Sequence, residues 1–263
     1  MKSVTGNCRF TPGGMREQGN EGWRIFPRTS RNLELYKDCI LLFAKYPEKG
    51  QVKTRLSAEL DESTAVELYK NFVLDLLSML ERLSLPFQIC FSPENSRERF
   101  MKWLGDKYCY IPQQGADLGQ RMKNALAQAF AQDFDRAVII GSDSPDLSED
   151  LIHEAFSSLE DHDAVIGPSV DGGYYLIGFR NDAFLPEVFD GIEWSTDTVF
   201  KETLEILKKA GLNAYELPEW QDIDTLADLK SMFLGNHNRE FRSSRTMSYI
   251  AANVWLPRQL SDS

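Results

Sequence analysis

The chain has 263 residues, enough for one large α/β domain or two small ones. With 42% hydrophobic and 26% charged residues it can bury a core without disulfides or a structural metal. Its formal net charge of −11 sets it against nucleic-acid backbones and anionic lipid, so an anionic substrate would need a local basic cluster. No run approaches the roughly 18 consecutive apolar residues of a membrane span, and the start at Met1-Lys2 never becomes apolar, so neither membrane anchor nor signal peptide is expected and the compartment is read as cytoplasmic.

Residues 1–35 are rich in Gly, Arg, Asn and Glu without a hydrophobic period, and are expected to form a flexible extension. Two periods then alternate. Residues 39–43 read as a buried strand. Residues 61–83 show helical spacing through Val66, Leu68, Phe72, Leu76, Leu77 and Leu80. Strands are expected at 87–91 and 108–111, with a helix at 97–104 between them. Asp117 and Gln120 resemble a capping box for a helix to about residue 131. Residues 137–140 are a β-branched strand, and Ser148 is placed to cap the next helix. Strands at 164–166 and 174–179 flank a Gly-rich turn too short for a crossover helix, which makes them an antiparallel pair. A helix at 196–209 stops at Gly211, a last strand covers 213–217, and Thr225 with Asp228 caps a helix to about residue 233. This alternation specifies an α/β fold with a mainly parallel central sheet, helices on both faces and one locally antiparallel strand. Residues 235–263 read as a C-terminal tail with basic residues Arg239, Arg242 and Arg245 and an apolar run near 249–256.

Cys8, Cys39, Cys90 and Cys109 form no CxxC pair and read as small hydrophobes in a reducing compartment. His153, His162 and His237 stand in polar surroundings and suggest neither a zinc site nor a catalytic triad.

Four segments could carry chemistry. Lys45, Lys49, Lys53 and Arg55 crowd one loop directly after the first strand of the α/β body, where open α/β sheets place ligands. In an extended loop Lys53 and Arg55 point the same way and both could grip a diphosphate; otherwise the segment is a solvated basic loop. The spacing is neither that of a Walker A loop nor that of GxGxxG. Gly141-Ser142-Asp143-Ser144-Pro145-Asp146 follows the strand at 137–140, which puts Asp143 at the sheet's C-terminal edge, where a carboxylate can hold Mg²⁺. Asp171-Gly172-Gly173 either lets backbone approach a sugar, with Asp171 accepting from a hydroxyl, or is an ordinary Asp-Gly turn. Asp222 and Asp224 share one face of an extended segment, so one could be a second metal carboxylate and the other a helix cap. Trp194, in Glu193-Trp194-Ser195-Thr196, either lines a pocket or is buried, and Thr196 is placed to cap the helix that follows.

Taken in order between residues 35 and 233, FAKYPEKGQVKTRL, QQGADLGQRM, GSDSPDL, GPSVDGGYYLIG, EWST and QDIDT resemble the GT-A nucleotide-diphospho-sugar transferase superfamily. Within it they resemble a bacterial family of glycosyltransferases associated with arsenosugar biosynthesis. KTRL and DIDT are also similar to elements of phospholactate guanylyltransferases and molybdenum-cofactor nucleotidyltransferases. The resemblance implies a single Rossmann-like GT-A domain over residues 36–234, with Mg²⁺ or Mn²⁺ held by Asp143 and Asp224 and phosphate held by Lys53 and Arg55. Asp143 and Asp171 are the candidate catalytic groups. Lys45, Lys53, Arg55, Asp117, Gly172, Gly173 and Trp194 are the candidate substrate contacts. The expected reaction is glycosyl transfer from a nucleotide sugar to a small-molecule acceptor. The alternatives are nucleotidyl transfer from an NTP with release of pyrophosphate, or binding of a sugar nucleotide without catalysis. The chain lacks the full GGxGxRxG loop of many nucleotidyltransferases, which sets nucleotidyl transfer second.

Overall fold

Strand β4 (Asp38–Lys45) is buried along almost its whole length because both of its faces are apolar. Ile40, Leu42 and Ala44 point into one hydrophobic cluster, and Cys39, Leu41 and Phe43 into another. A strand with no polar face must be covered on both sides, as parallel sheets are. In the computed structural model β4 lies inside a seven-stranded sheet of order β10-β8-β9-β7-β4-β5-β6. The other members are β5 (Phe87–Ser92), β6 (Tyr110–Pro112), β7 (Arg136–Ile140), β8 (Ala164–Pro168), β9 (Tyr174–Arg180) and β10 (Ala214–Glu216). β9 runs antiparallel to both of its neighbours and the other pairings are parallel, as the short 164–179 connection requires. Gly178 makes the β9–β7 contact possible, since a Cβ there would lie 2.4 Å from Val138 Cγ1.

The structure describes residues 37–235, 238 and 240–254, together with three upstream strands, β1 (Cys8–Thr11), β2 (Gly14–Gly19) and β3 (Gly22–Ile25). These three form an antiparallel sheet in a stretch expected to lack regular structure. The rest of that expected extension lies outside the described residues.

Helices cover the sheet as the periodicity implies. On one face pack α2 (Glu62–Leu83), α3 (Arg97–Leu104) and α5 (Glu149–Ser158), and on the other α4 (Leu118–Phe130) and α6 (Val199–Lys209). Their starts follow from side-chain caps. Asp61 accepts from the backbone N–H of Ser63 and Thr64, Asp117 from that of Gln120, and Ser148 from that of Leu151. Among the described residues no helix is long and apolar enough to cross a membrane.

Four local expectations change. α6 begins at Val199 rather than at residue 196, because residues 193–198 wrap over the Gly-rich turn. There the Phe200 N–H donates to Gly172 O at 2.9 Å, and Ser195 takes a positive φ of 69°. A short helix, α1 (Thr54–Glu59), replaces the expected extended loop. The segment read as a tail extends α7 (Leu226–Gly235) and adds α8 (Arg245–Asn253), which lies against α2. Phe241, Met247, Ile250 and Val254 join Leu68 and Phe72 of α2 in a third apolar cluster. Finally, Cys39 and Cys90 are free and buried, but Cys109 is disulfide-bonded, so the uniformly reduced reading fails for it.

Candidate active site

All four candidate segments leave strands at one edge of the sheet. The loop 46–53 follows β4, 141–148 follows β7, 169–173 joins β8 to β9, and 217–225 follows β10. The last of these would stay at the sheet margin if it continued along β10. Instead a series of backbone hydrogen bonds carries it across the strand ends. Leu217 N–H donates to Ile166 O, Trp220 N–H to Pro168 O, and Val170 N–H to Trp220 O. The last step is Ile223 N–H to Asp143 O at 2.9 Å, which brings Asp222 to Ser144 and Asp224 to the Lys53 ammonium that Asp143 also contacts. A single extended segment thereby brings together carboxylates about 80 positions apart in the sequence.

Lys53 closes the arrangement. Its Nζ lies 2.5 Å from Asp143 Oδ1 and 3.0 Å from Asp224 Oδ1. The Lys53 side chain is 2% exposed, against 49% for Asp143 and 39% for Asp224, so the ammonium approaches from the protein side. The ring of Phe72 lies beneath it, 5.5 Å from Nζ. Burial pulls the Lys53 pKa down, but the two carboxylates outweigh it and hold the group above its usual value, so it stays charged. Lys53 has φ 48° and ψ 46°, a left-handed backbone that a lysine adopts only under constraint.

This geometry corrects the expected pairing of Lys53 and Arg55. The left-handed turn at Lys53 starts α1 and sends the two side chains apart. Lys53 turns inward, and Arg55 stays 74% exposed with Nη1 3.8 Å from Asp224 Oδ2. Lys45 is exposed at the end of β4, where its N–H donates to the Tyr69 hydroxyl.

Tyr69 and Ser144 are the supporting residues that periodicity missed. The hydroxyls of Tyr69 and Ser142 share a hydrogen bond of 2.9 Å, so α2 ties the end of β4 to the loop after β7. Burial, then the nearby Asp143 charge, drives the Tyr69 pKa upward, which keeps its hydroxyl protonated. A polar head on the buried face of an otherwise apolar helix stripe was the available signal. Ser144 Oγ donates to Asp222 Oδ1 at 2.6 Å. Burial, with the Asp143 charge adding to it and the Ser144 hydrogen bond opposing it, raises the Asp222 pKa to about 6.

The Asp222 shift has a stability consequence. A carboxyl whose folded pKa lies above its unfolded value costs nothing below pH 4, where both states are protonated. It destabilises progressively as pH rises toward 6, and fully above that. Asp222→Asn is expected to melt with the wild type at pH 4 and above it at pH 8, by about 3 °C or more. Melting curves that stay parallel across that range would exclude the buried charge.

The remaining candidates divide. Asp171 Oδ1 accepts from Ser169 Oγ at 2.5 Å and from Gly173 N–H at 3.0 Å, which is the turn-forming role. Gly172 has φ 88°, and a Cβ there would lie 2.2 Å from Asp197 O. The close backbone approach at Gly172 is therefore to the chain itself. Asp117 caps α4. Trp194 is half-buried, stacked on Phe189 and edge-on to Tyr174, and a Cβ on Gly119 would strike its ring.

Asp143 and Asp224 are the residues that could hold a cation. They already converge on one positive nitrogen, both reach solvent, and oxygen donors of this kind suit Mg²⁺ or Mn²⁺. Among the described residues no three His, Cys, Asp or Glu side chains cluster as a complete metal cage.

Residues 76–196 match the family described as "Uncharacterized protein conserved in bacteria (DUF2064)". A crystal structure of a protein from Desulfovibrio desulfuricans G20, named as a candidate nucleotide-diphospho-sugar transferase, superposes with a TM-score of 0.82 at 45% identity. It covers 86% of this chain and 98% of its own. The 2-phospho-L-lactate guanylyltransferase of Methanocaldococcus infernus is 28% identical over 74% of this chain and 86% of the relative. A cytidylyltransferase from Leptospira borgpetersenii, at 17% identity and a TM-score of 0.50 over 86% of this chain and 96% of its own, shares the fold.

Proposed function

Because the chain belongs to the bacterial nucleotide-diphospho-sugar transferase family that the Desulfovibrio protein represents, we propose that it transfers a glycosyl group from a nucleotide-diphosphate sugar to a small hydroxylated acceptor, assisted by Mg²⁺ or Mn²⁺. One observation carries this reading: Asp143 and Asp224 meet at the strand ends over the Lys53 ammonium, with Arg55 beside them. A cation on those carboxylates would supply Lewis-acid neutralisation of the leaving diphosphate.

The chain's own residues do the rest. Arg55 is exposed and reaches the Asp224 edge, so its guanidinium can take diphosphate oxygens that Lys53 cannot reach. Lys45 adds a second cation at the end of β4. The acceptor oxygen bonds to the anomeric carbon as the bond to the diphosphate breaks, and the acceptor proton must pass to a base. Asp171 can serve through Oδ2, since its turn contacts occupy Oδ1.

Nucleotidyl transfer is the second reading, supported by the names of the Methanocaldococcus relatives, which are 28% and 25% identical. The two separate by product. With nucleotide sugars, NTPs and Mn²⁺, free nucleoside diphosphate supports glycosyl transfer. Pyrophosphate released from an NTP in the presence of a phosphorylated acceptor would replace it with nucleotidyl transfer. Neither product, with donor still bound, would leave a binding protein.

A further inference from the structure

The two carboxylates of the candidate cation site are already paired with the chain's own cations. Lys53 contacts both Asp143 and Asp224, and Arg55 stands 3.8 Å from the remaining Asp224 oxygen. Two negative charges are thus matched by two positive charges within ion-pair reach. The third carboxylate nearby, Asp222, is turned to the Ser144 hydroxyl. A bare divalent ion arriving from solvent finds both of these carboxylates already paired and is repelled by an ammonium that cannot swing away into water. Lys53 is buried against Phe72, and its backbone is locked in the turn that starts α1.

From this we infer that Lys53, with Arg55, sets the site's affinity for free divalent cations low, so that the cation enters together with the diphosphate of the nucleotide substrate. The diphosphate supplies the negative charge that the two carboxylates have spent on Lys53. It also gives Arg55 an alternative partner, which releases Asp224 Oδ2. Lys53 acts here as a positioning residue. It holds the two carboxylates side by side from the buried flank and leaves their solvent-facing oxygens for the incoming cation. The inference rests on the metal-assisted reading above.

Isothermal titration tests it on the full chain, with MnCl₂ alone, with each of ADP, CDP, GDP, UDP and TDP alone, and with each diphosphate plus Mn²⁺. The wild type is expected to bind Mn²⁺ by itself weakly but measurably, and at least one diphosphate is expected to bind tenfold or more tightly when Mn²⁺ is present. Removing one positive charge at this range shifts divalent affinity by at least about tenfold, so Lys53→Met should bind Mn²⁺ alone that much more tightly than the wild type. Arg55→Gln changes an exposed side chain that no core contact depends on, so it remains informative if the Lys53 variant fails to fold. It is expected to move the same way by a smaller factor of about three, given solvent screening. Micromolar Mn²⁺ binding by the wild type alone, or unchanged Mn²⁺ affinity in Arg55→Gln, overturns the inference and leaves the metal site standing. Diphosphate binding that ignores Mn²⁺ in every variant removes the metal reading itself.

Discussion

Asp143→Asn is expected to lower the transfer rate about a thousandfold while leaving a folded protein. The rate loss follows from where the charge sits. Asp143 lies in the loop after β7 with its carboxylate half open to solvent, where on the proposed reading it would help neutralise a leaving diphosphate. Taking away one preorganised electrostatic contact at such a centre costs roughly 10²–10³ in kcat. The fold should survive because an Asn oxygen can still accept from Lys53, which keeps Asp224 as a charged partner. The Asp143 backbone carbonyl, which anchors Ile223, is untouched. A loss of about 1 kcal/mol, or a few degrees in Tm, is therefore expected. Turnover within tenfold of the wild type would remove Asp143 from the reaction.

Ile250→Ala should destabilise the fold by about 3 kcal/mol, with Tm lowered by roughly 10 °C. Ile250 is fully buried although it lies in the segment read from sequence as a tail. α8 is fastened at both levels. Its N-terminal N–H groups, those of Arg245 and Thr246, donate to the buried carboxylate of Asp75 on α2, and Ser244 caps Met247. Its apolar stripe fills the third cluster. That cluster also contains Leu56 of α1 and Ile223 of the segment bearing Asp222 and Asp224. A cavity at Ile250 therefore loosens the packing behind Lys53 and behind the carboxylates together. Nucleotide binding should weaken along with stability, and Ile250→Leu should restore both. A Tm within about 2 °C of the wild type would show α8 to be a passenger.

Most of the fold was legible in the chain. The double-faced apolar strand at 39–43, the helical stripe from Val66 to Leu80 and the short 164–179 connection each report a local periodicity, and each became the expected element. α8 was legible only in part. Met247, Ile250 and Val254 have helical spacing, but the stripe needs a partner face on α2 that lies some 170 positions away. The start of α6 failed for a similar reason, since residues 193–198 are shaped by Gly172 and not by their own capping signals.

At the site, sequence alone determined that acidic and basic residues would gather at one sheet edge, because each candidate follows a strand whose direction the α/β alternation dictates. It did not determine which way each side chain faces. That was decided by tertiary contacts. The 217–225 segment crosses the strand ends through hydrogen bonds to β8 and to the loops after β8 and β7, and Lys53 is turned inward by a left-handed backbone over Phe72. Charge sign and spacing are properties of the chain. Whether an ammonium faces water or two carboxylates depends on the solvent-excluding surface around it, which exists only once distant segments have packed.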